Sequence, residues 1–351
     1  MAVLHIFNPE HDIALASGLA NFTAPHAGRQ LRADLGFLPT LWAGEDDVVL
    51  VDHAENAAKC CRRLLCRLGR KSCRFVDKSE LARLRVESVE PWGWDLALAA
   101  LLRRKGVSAS ALPSDEQVER IRQQSHRRTS ARLLPLLRVA GTAGEAFECT
   151  QAEEVEALLA RYGQVVMKAP WSSSGRGLRF LSVERTPFSV QARWFSNLVA
   201  AQGSVMVEPY YNKVKDFGME FSVDATGAIR YEGLSLFHTV NGAYVGNILA
   251  TERAKQEMLS RYVSADLLNC VQQRIMSSLD LGDYRGPFGI DMMIVAGDDG
   301  FLLHPCVEIN LRRTMGHVAL ALAPTDDDVL RVMRIEYDGN HYKLKINKLR
   351  L

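Results

Sequence analysis

The stretch from Gln164 to Leu178 limits what this chain can fold into more than any other. Val165, Val166 and Met167 form a short apolar run of strand type, and Lys168 closes it with a cation at the strand end. Pro170 stops the ladder, because it has no N–H to donate. Ser172, Ser173, Ser174, Gly175, Arg176 and Gly177 follow, and Leu178 opens a second strand. Hydroxyls and glycines supply donors without bulk beside a fixed positive charge. That is the chemistry of a phosphate cradle, against the plainer alternative of a hairpin turn.

With 351 residues the chain is too long for one compact core and suits two or three lobes. Its 43 Lys and Arg against 41 Asp and Glu leave a net charge of +2, so no strong field argues for nucleic acid or an anionic membrane. Basic residues cluster from Arg62 to Arg74 and from Arg120 to Arg138, interleaved with Leu and Ile at helical spacing. They read as solvated helix faces, and the second cluster lacks the aromatic residues of a nucleic-acid stacking platform. Cys60, Cys61, Cys66 and Cys73 lie close together without a CxxC pair or a histidine partner. Reduced thiols in a cytoplasmic protein fit them better than a zinc site. His5, Glu10, His11 and Asp12 interrupt the N-terminal residues early, so no signal peptide is expected. No apolar run approaches the ~20 residues of a membrane span.

From Ala2 the chain alternates short apolar strands with helices. Strands are expected at 2–7, 48–51 and 74–76, and helices at 24–38, 54–68 and 79–84. This pattern implies a parallel sheet with covering helices, whose ligands bind beyond the carboxyl ends of the strands. Asn8, Pro9, Glu10, His11 and Asp12 sit at such an end. A helix start explains Asn8 and Pro9, but not Glu10, His11 and Asp12, so the cluster is a candidate substrate contact. Trp92 and Trp94 around Gly93 read as packing. Ser114, Asp115, Glu116 and Gln117 announce a helix to Gln124, and another ends near Leu137. A lobe boundary is expected between Gln124 and Gly144. Further on, an acidic amphipathic helix spans 151–162, and Ser204 to Tyr211 is a strand ending in a polar hinge that contains Pro209.

Asp291 lies inside an apolar strand, and Glu308 and Asn310 lie near the end of the strand that partners it. Side chains alternate in a strand, so Glu308 and Asn310 share a face, and Asp291 can point the same way. Two carboxylates and an amide oxygen make a hard-oxygen site suited to Mg2+. Buried without a cation, the two carboxylates would repel, and one would tend to protonate.

Lys168 with its Ser/Gly loop, Glu208, Glu220, Asp291, and Glu308 with Asn310 occur in the order of the ATP-grasp superfamily, which this sequence resembles from about Ser125 to Leu322. The resemblance implies an α/β chain, α+β in its C-terminal half, with an ATP-grasp fold behind an N-terminal parallel-sheet pre-ATP-grasp domain. The implied divisions are 1–125, then a lid subdomain at 126–204, a metal-bearing subdomain at 205–325, and a C-terminal hairpin at 326–351. It implies that Lys168 contacts the α- and β-phosphates of ATP, and that Ser173, Ser174, Gly175 and Gly177 close over them. Glu208 and the backbone near Tyr210 would read adenine, and Glu220 would accept the ribose hydroxyls. Asp291, Glu308 and Asn310 would hold Mg2+, with Mn2+ as an alternative. Arg312 or Arg313 would reach the γ-phosphate or a substrate carboxylate, and Arg127 or Arg128 supplies a further cation.

The sequence departs from the family pattern in places. The interval from Glu208 to Glu220 is longer than in D-alanine–D-alanine ligase, and the segment around His238 lacks a lysine that some ligases carry there, so His238 is a candidate substitute. The implied activity is ADP-forming ligation of a small-molecule carboxylate to an amine or thiol. A small-molecule kinase and a non-catalytic ATP-binding regulator are the alternatives. No nucleic-acid or membrane partner is expected, and homodimer formation is left open. Lys168→Met is expected to abolish ATP binding with the fold intact, as titration calorimetry beside circular dichroism would read, because it removes the one fixed cation entering the cradle.

Overall fold

The reason a parallel sheet opens the chain is that its strands are short apolar runs separated by helices. β1 (Ala2–Ile6), β2 (Val48–Leu50) and β3 (Arg74–Val76) are linked through α1 (His11–Ser17), α2 (His26–Leu35) and α3 (Ala54–Leu68). β4 (Val86–Pro91) then returns to the far side of β1, giving the parallel order β3-β2-β1-β4. A computed structural model describes residues 2–69, 72–172, 177–240 and 243–348. β4 was not expected from the sequence. It is a half-exposed edge strand, with Glu87 and Glu90 exposed. The helix expected at 79–84 is a single tight turn, Leu81–Arg83.

The crevice between β1 and β4 is filled by the protein's own side chains. Asn8 Nδ2 donates to Gly93 O at 2.8 Å and to Asp95 Oδ2 at 3.2 Å. Asp95 caps α4 (Leu96–Arg104) by accepting from Leu98 N at 2.8 Å. The His11 ring packs over Gly93, with Nδ1 3.5 Å from Asp95 Oδ2. α5 (Asp115–Gln124) starts at the Ser114–Gln117 capping box, and α6 (Arg128–Leu137) follows.

The second sheet is antiparallel. β5 (Phe147–Cys149), α7 (Ala152–Tyr162), β6 (Gln164–Lys168), β7 (Leu178–Ser182), α8 (Ala192–Gln202) and β8 (Val205–Pro209) give the order β5-β8-β6-β7. Its own core is built from residues such as Val155, Met167, Phe188 and Val207.

The remaining chain makes two more sheets. β9 (Lys213–Val223), β10 (Ile229–Ser235), β11 (Phe237–Val240) and β12 (Ala243–Leu249) come first, followed by α9 (Glu252–Ser260) and α10 (Ala265–Ser278). Long strands β13 (Gly286–Gly297) and β14 (Gly300–Asn310), α11 (Met315–Ala321), β15 (Arg331–Tyr337) and β16 (Tyr342–Lys348) complete it. The strand orders are β10-β9-β13-β14 and β11-β12-β15-β16. Phe217, Phe221, Phe288 and Ile290 are fully buried between the first of these sheets and α6 and α10. Another apolar cluster joins Phe7, Leu35, Leu38 and Trp92 to Leu249, Val318 and Met333. Among the described residues no helix is long and apolar enough to cross a membrane.

Asn8→Ala strands the buried Gly93 carbonyl and loosens the cap of α4. The expected cost is about 1–3 kcal/mol of stability with unchanged nucleotide affinity, checked by chemical denaturation and calorimetry.

Candidate functional site

Register places the candidate metal residues in two adjacent rows. Glu220, Gly289 and Asn310 pair across β9, β13 and β14, and Gly218, Asp291 and Glu308 form the next row on the same face. Gly289 leaves the gap that this requires, since a Cβ there would stand 2.5 Å from Glu220 Oε2. Asp291 is pushed up to about 7 by burial and then by the charge of Glu308. Burial raises Glu308 too, against the opposing pull of Arg127. Asn310 Nδ2 donates to Asp291 Oδ2 at 3.3 Å. Two carboxylates and an amide oxygen, with the charge of Asp291 costly as it stands, fit a hard dication.

Two arginines neutralise this row. Arg127 Nη2 lies 2.9 Å from Glu308 Oε1, while its Nε donates to Ala169 O at 2.9 Å and its Nη2 to Ser172 Oγ at 3.3 Å. One guanidinium thus touches both the phosphate-loop strand end and the carboxylates. Arg312 grips Asp12 with two 2.8 Å bonds and donates to Asn310 Oδ1 at 2.9 Å. Burial alone would raise Asp12, but Arg312 outweighs it and holds the carboxyl below its ordinary value. Lys168 is buried, with Nζ 2.5 Å from Glu208 Oε2. At the base of the loop Gly177 O accepts from Ala169 N at 2.8 Å, and a Cβ on Gly177 would meet Ser172 Oγ at 2.6 Å. Ser173, Ser174 and Gly175 lie outside the described residues. The crevice lined by His11, Asp12, Ser172, Glu308 and Asn310 holds about 10 Å³, no more than a single water needs.

The structure separates the paired alternatives. Arg127 is at the site, whereas Arg128 turns to Glu148 at 3.0 Å and to the His126 ring. Arg312 is at the site, whereas Arg313 points into the first lobe, over Trp42 and 3.5 Å from Glu90. Of the first-lobe cluster, Asp12 reaches the site and His11 lines the crevice. Asn8 is spent inside the lobe, and Glu10 is held by Arg32. His238 is exposed on β11. Tyr210 is half exposed, and its amide already donates to Gln164 O at 3.0 Å.

Glu220, expected to accept ribose hydroxyls, is buried under the start of α11. Thr314 Oγ1 bonds Glu220 Oε2 at 2.8 Å, and His317 Nδ1 stands 3.1 Å from the same oxygen. His317 is neutral, lowered to about 3 by burial and then by Arg313, and its Nδ1 accepts from Thr314 N at 3.1 Å. A ring nitrogen already accepting tolerates the Glu220 oxygen only if Glu220 carries a proton. Burial accordingly pushes Glu220 up to about 8. Sequence reasoning passed over Asp216, which shares the face of Glu220 by strand alternation and whose charge reaches Asp291. Its cue was there, an acid between Glu208 and Glu220, but the strand was expected to begin at Phe217 and begins at Lys213.

A pH dependence follows from Glu220. Folded, it keeps its proton to about pH 8, and unfolded it loses it near 4.5. Folding therefore takes up a proton between these values, and stability from this group falls as pH rises through them. Glu220→Gln removes that slope, so its melting temperature should exceed wild type at about pH 8.5 and match it near about pH 4, by scanning calorimetry.

No protein-family model matches the sequence, and no curated protein matches it. Solved structures match it along nearly its whole length. N5-carboxyaminoimidazole synthetase from Staphylococcus aureus, complexed with ADP, is 13% identical with a TM-score of 0.51, covering 95% of this chain and 82% of that one. An ADP complex of N5-carboxyaminoimidazole ribonucleotide synthetase is 12% identical at 0.51, covering 99% of this chain and 92% of that one. Biotin carboxylase from Campylobacter jejuni, in complex with β-γ-ATP, is 13% identical at 0.51, covering 97% and 77%. These are ATP-grasp structures. With its parallel first sheet and its later antiparallel sheets, this protein has the ATP-grasp fold.

Proposed function

We propose that this chain is an ATP- and Mg2+-dependent ligase that activates a carboxylate as an acyl phosphate and joins it to an amine or thiol. The observation that carries the reading is Arg127. It joins the end of the Lys168 strand to Glu308, so phosphate-binding and metal-binding groups converge on one point. Lys168 and Arg127 would hold the phosphates, Glu208 the adenine edge, and Asp216 the ribose hydroxyls in place of Glu220. A dication held by Asp291, Glu308 and Asn310 would withdraw charge from the transferring phosphoryl group.

The remaining chemistry needs no side-chain nucleophile. A substrate carboxylate oxygen attacks the γ-phosphorus, the bond to the bridging oxygen breaks, and ADP leaves with the electron pair. Arg312, held between Asp12 and Asn310, would orient that carboxylate. The amine nitrogen then adds to the carbonyl carbon, the carbon–oxygen bond to phosphate breaks, and the amine proton passes to solvent.

Hydroxylamine supplied with enzyme, Mg-ATP and a pool of small acids should give ADP and a hydroxamate, resolved by chromatography and the iron colour reaction. AMP with pyrophosphate would exclude this chemistry. ADP with a stable phosphorylated alcohol and no hydroxamate would identify a kinase. Asp291→Asn is expected to lower turnover by about a hundredfold or more while nucleotide still binds.

A further inference from the structure

His304 on β14 is fully buried, and among the described residues neither its Nδ1 nor its Nε2 has a hydrogen-bond partner. A neutral imidazole carries one donor and one acceptor, so both are left unmet. Buried polar groups are nearly all paired in folded proteins, and an exception calls for a reason. Burial lowers His304 to about 4, with Glu208 pulling it up and Lys168 pushing it down. The ring is therefore neutral at ordinary pH, and one of its nitrogens is an acceptor.

Strand register locates the ring. His304 pairs with Met293, and Met293 pairs with Asp216, so the three form a row across β14, β13 and β9. Met293 is two residues from Asp291 along β13, so this row shares the face of Asp291 and Glu308. Lys168 and Glu208, whose charges both reach the ring, come from β6 and β8 of the other antiparallel sheet. Just past the end of β8 the Tyr211 ring stands edge-on to His304, with 5.3 Å between centroids. The Tyr211 hydroxyl is engaged elsewhere, by Glu145 N at 2.9 Å. A Cβ on Gly144 would stand 2.9 Å from His304 Nε2, so only a glycine lets the chain before β5 pass the ring. His304 thus lies where the two sheets and the segment joining them meet.

A nucleotide laid over these rows decides what His304 would touch. With its phosphates at the row of Asp291 and Glu308 and its ribose hydroxyls at Asp216, its base comes to Met293, His304 and Glu208. The amino group of adenine has two hydrogens to donate, and Glu208 and His304 are two acceptors. We propose that His304 is a base-reading residue, whose unprotonated ring nitrogen accepts one hydrogen of the adenine amino group while Glu208 accepts the other. Adenine supplies the partner that the buried ring lacks, and a base without the amino group does not. The proposal rests on the nucleotide part of the ligase reading and not on the reaction that follows.

The test is calorimetric titration of the full chain and of His304→Phe with Mg-ATP and with the Mg2+ complex of purine riboside triphosphate, which carries hydrogen in place of the amino group. Wild type should favour Mg-ATP by about a hundredfold or more. His304→Phe should weaken Mg-ATP about tenfold and leave the analogue unchanged or tighter. A ring that only packs would affect both nucleotides alike, so equal losses would overturn the proposal. Unchanged Mg-ATP affinity in the variant, or equal affinity of wild type for the two nucleotides, would overturn it as well. A second measurement reads the ring of wild type directly, by 15N-histidine NMR with Mg-ADP, assigned through His304→Gln. The signal of the unprotonated nitrogen should move toward that of the protonated one. An unmoved signal would overturn the proposal even where His304→Phe fails to fold. Wild type that binds no nucleotide would overturn the ligase reading and this role together. Products that contradict ligation, with the expected base selectivity intact, would remove the proposed activity and leave His304 standing.

Discussion

Glu220, buried, and Asp291 and Glu308, partly buried, gather three carboxyl groups on one face of a sheet, and their mutual repulsion is the constraint that the rest of the structure answers. Charges that close cannot all remain ionised without partners. Glu220 keeps a proton under α11. Glu308 takes Arg127 from the start of α6. Arg312 is shared by Asn310 and Asp12, and Asp12 comes from the first lobe. Each counter-charge is delivered by a different part of the chain, so neutralising the face and docking the lobes are the same interactions. Buried pairs of this kind add little net stability against apolar packing of the same volume. Here they fix which surfaces meet.

The same logic governs Lys168 and Glu208. Both are buried, and each satisfies the other. Neither is left as a bare charge in the interior. Arg127 likewise divides its donors between Glu308, a backbone carbonyl and a serine hydroxyl.

Much of this was legible in the chain. Alternation along a strand was enough to put Glu308 and Asn310 on one face, and the apolar neighbours of Asp291 announced a central strand. The capping box at Ser114 fixed a helix start to the residue. Choices that depend on tertiary contact were not legible. Arg127 and Arg128 are adjacent, and only the packing of α6 against Ala169 and Ser172 decides between them. Glu220 and Asp216 have the same strand parity, and local pattern cannot reveal that α11 covers one of them. Asn8 looked like a ligand contact because its partners, Gly93 and Asp95, come from a distant strand end. β4 escaped because an edge strand buries too little apolar surface to stand out.

The pairing of β15 and β16 with the outside of α2 carries a consequence for biosynthesis. Asp34 on α2 receives Tyr342 N and His341 Nδ1, each at 2.8 Å, and Ile335, Leu344 and Ile346 pack against the cluster that contains Leu35 and Leu38. A ribosome makes α2 early and residues 331–348 some three hundred codons later. At the usual rates of about 5–20 residues per second, the apolar flank of α2 waits tens of seconds for its cover. During that interval the first lobe is a nascent domain with an unfinished core, and the cell must shelter it until the last strands arrive.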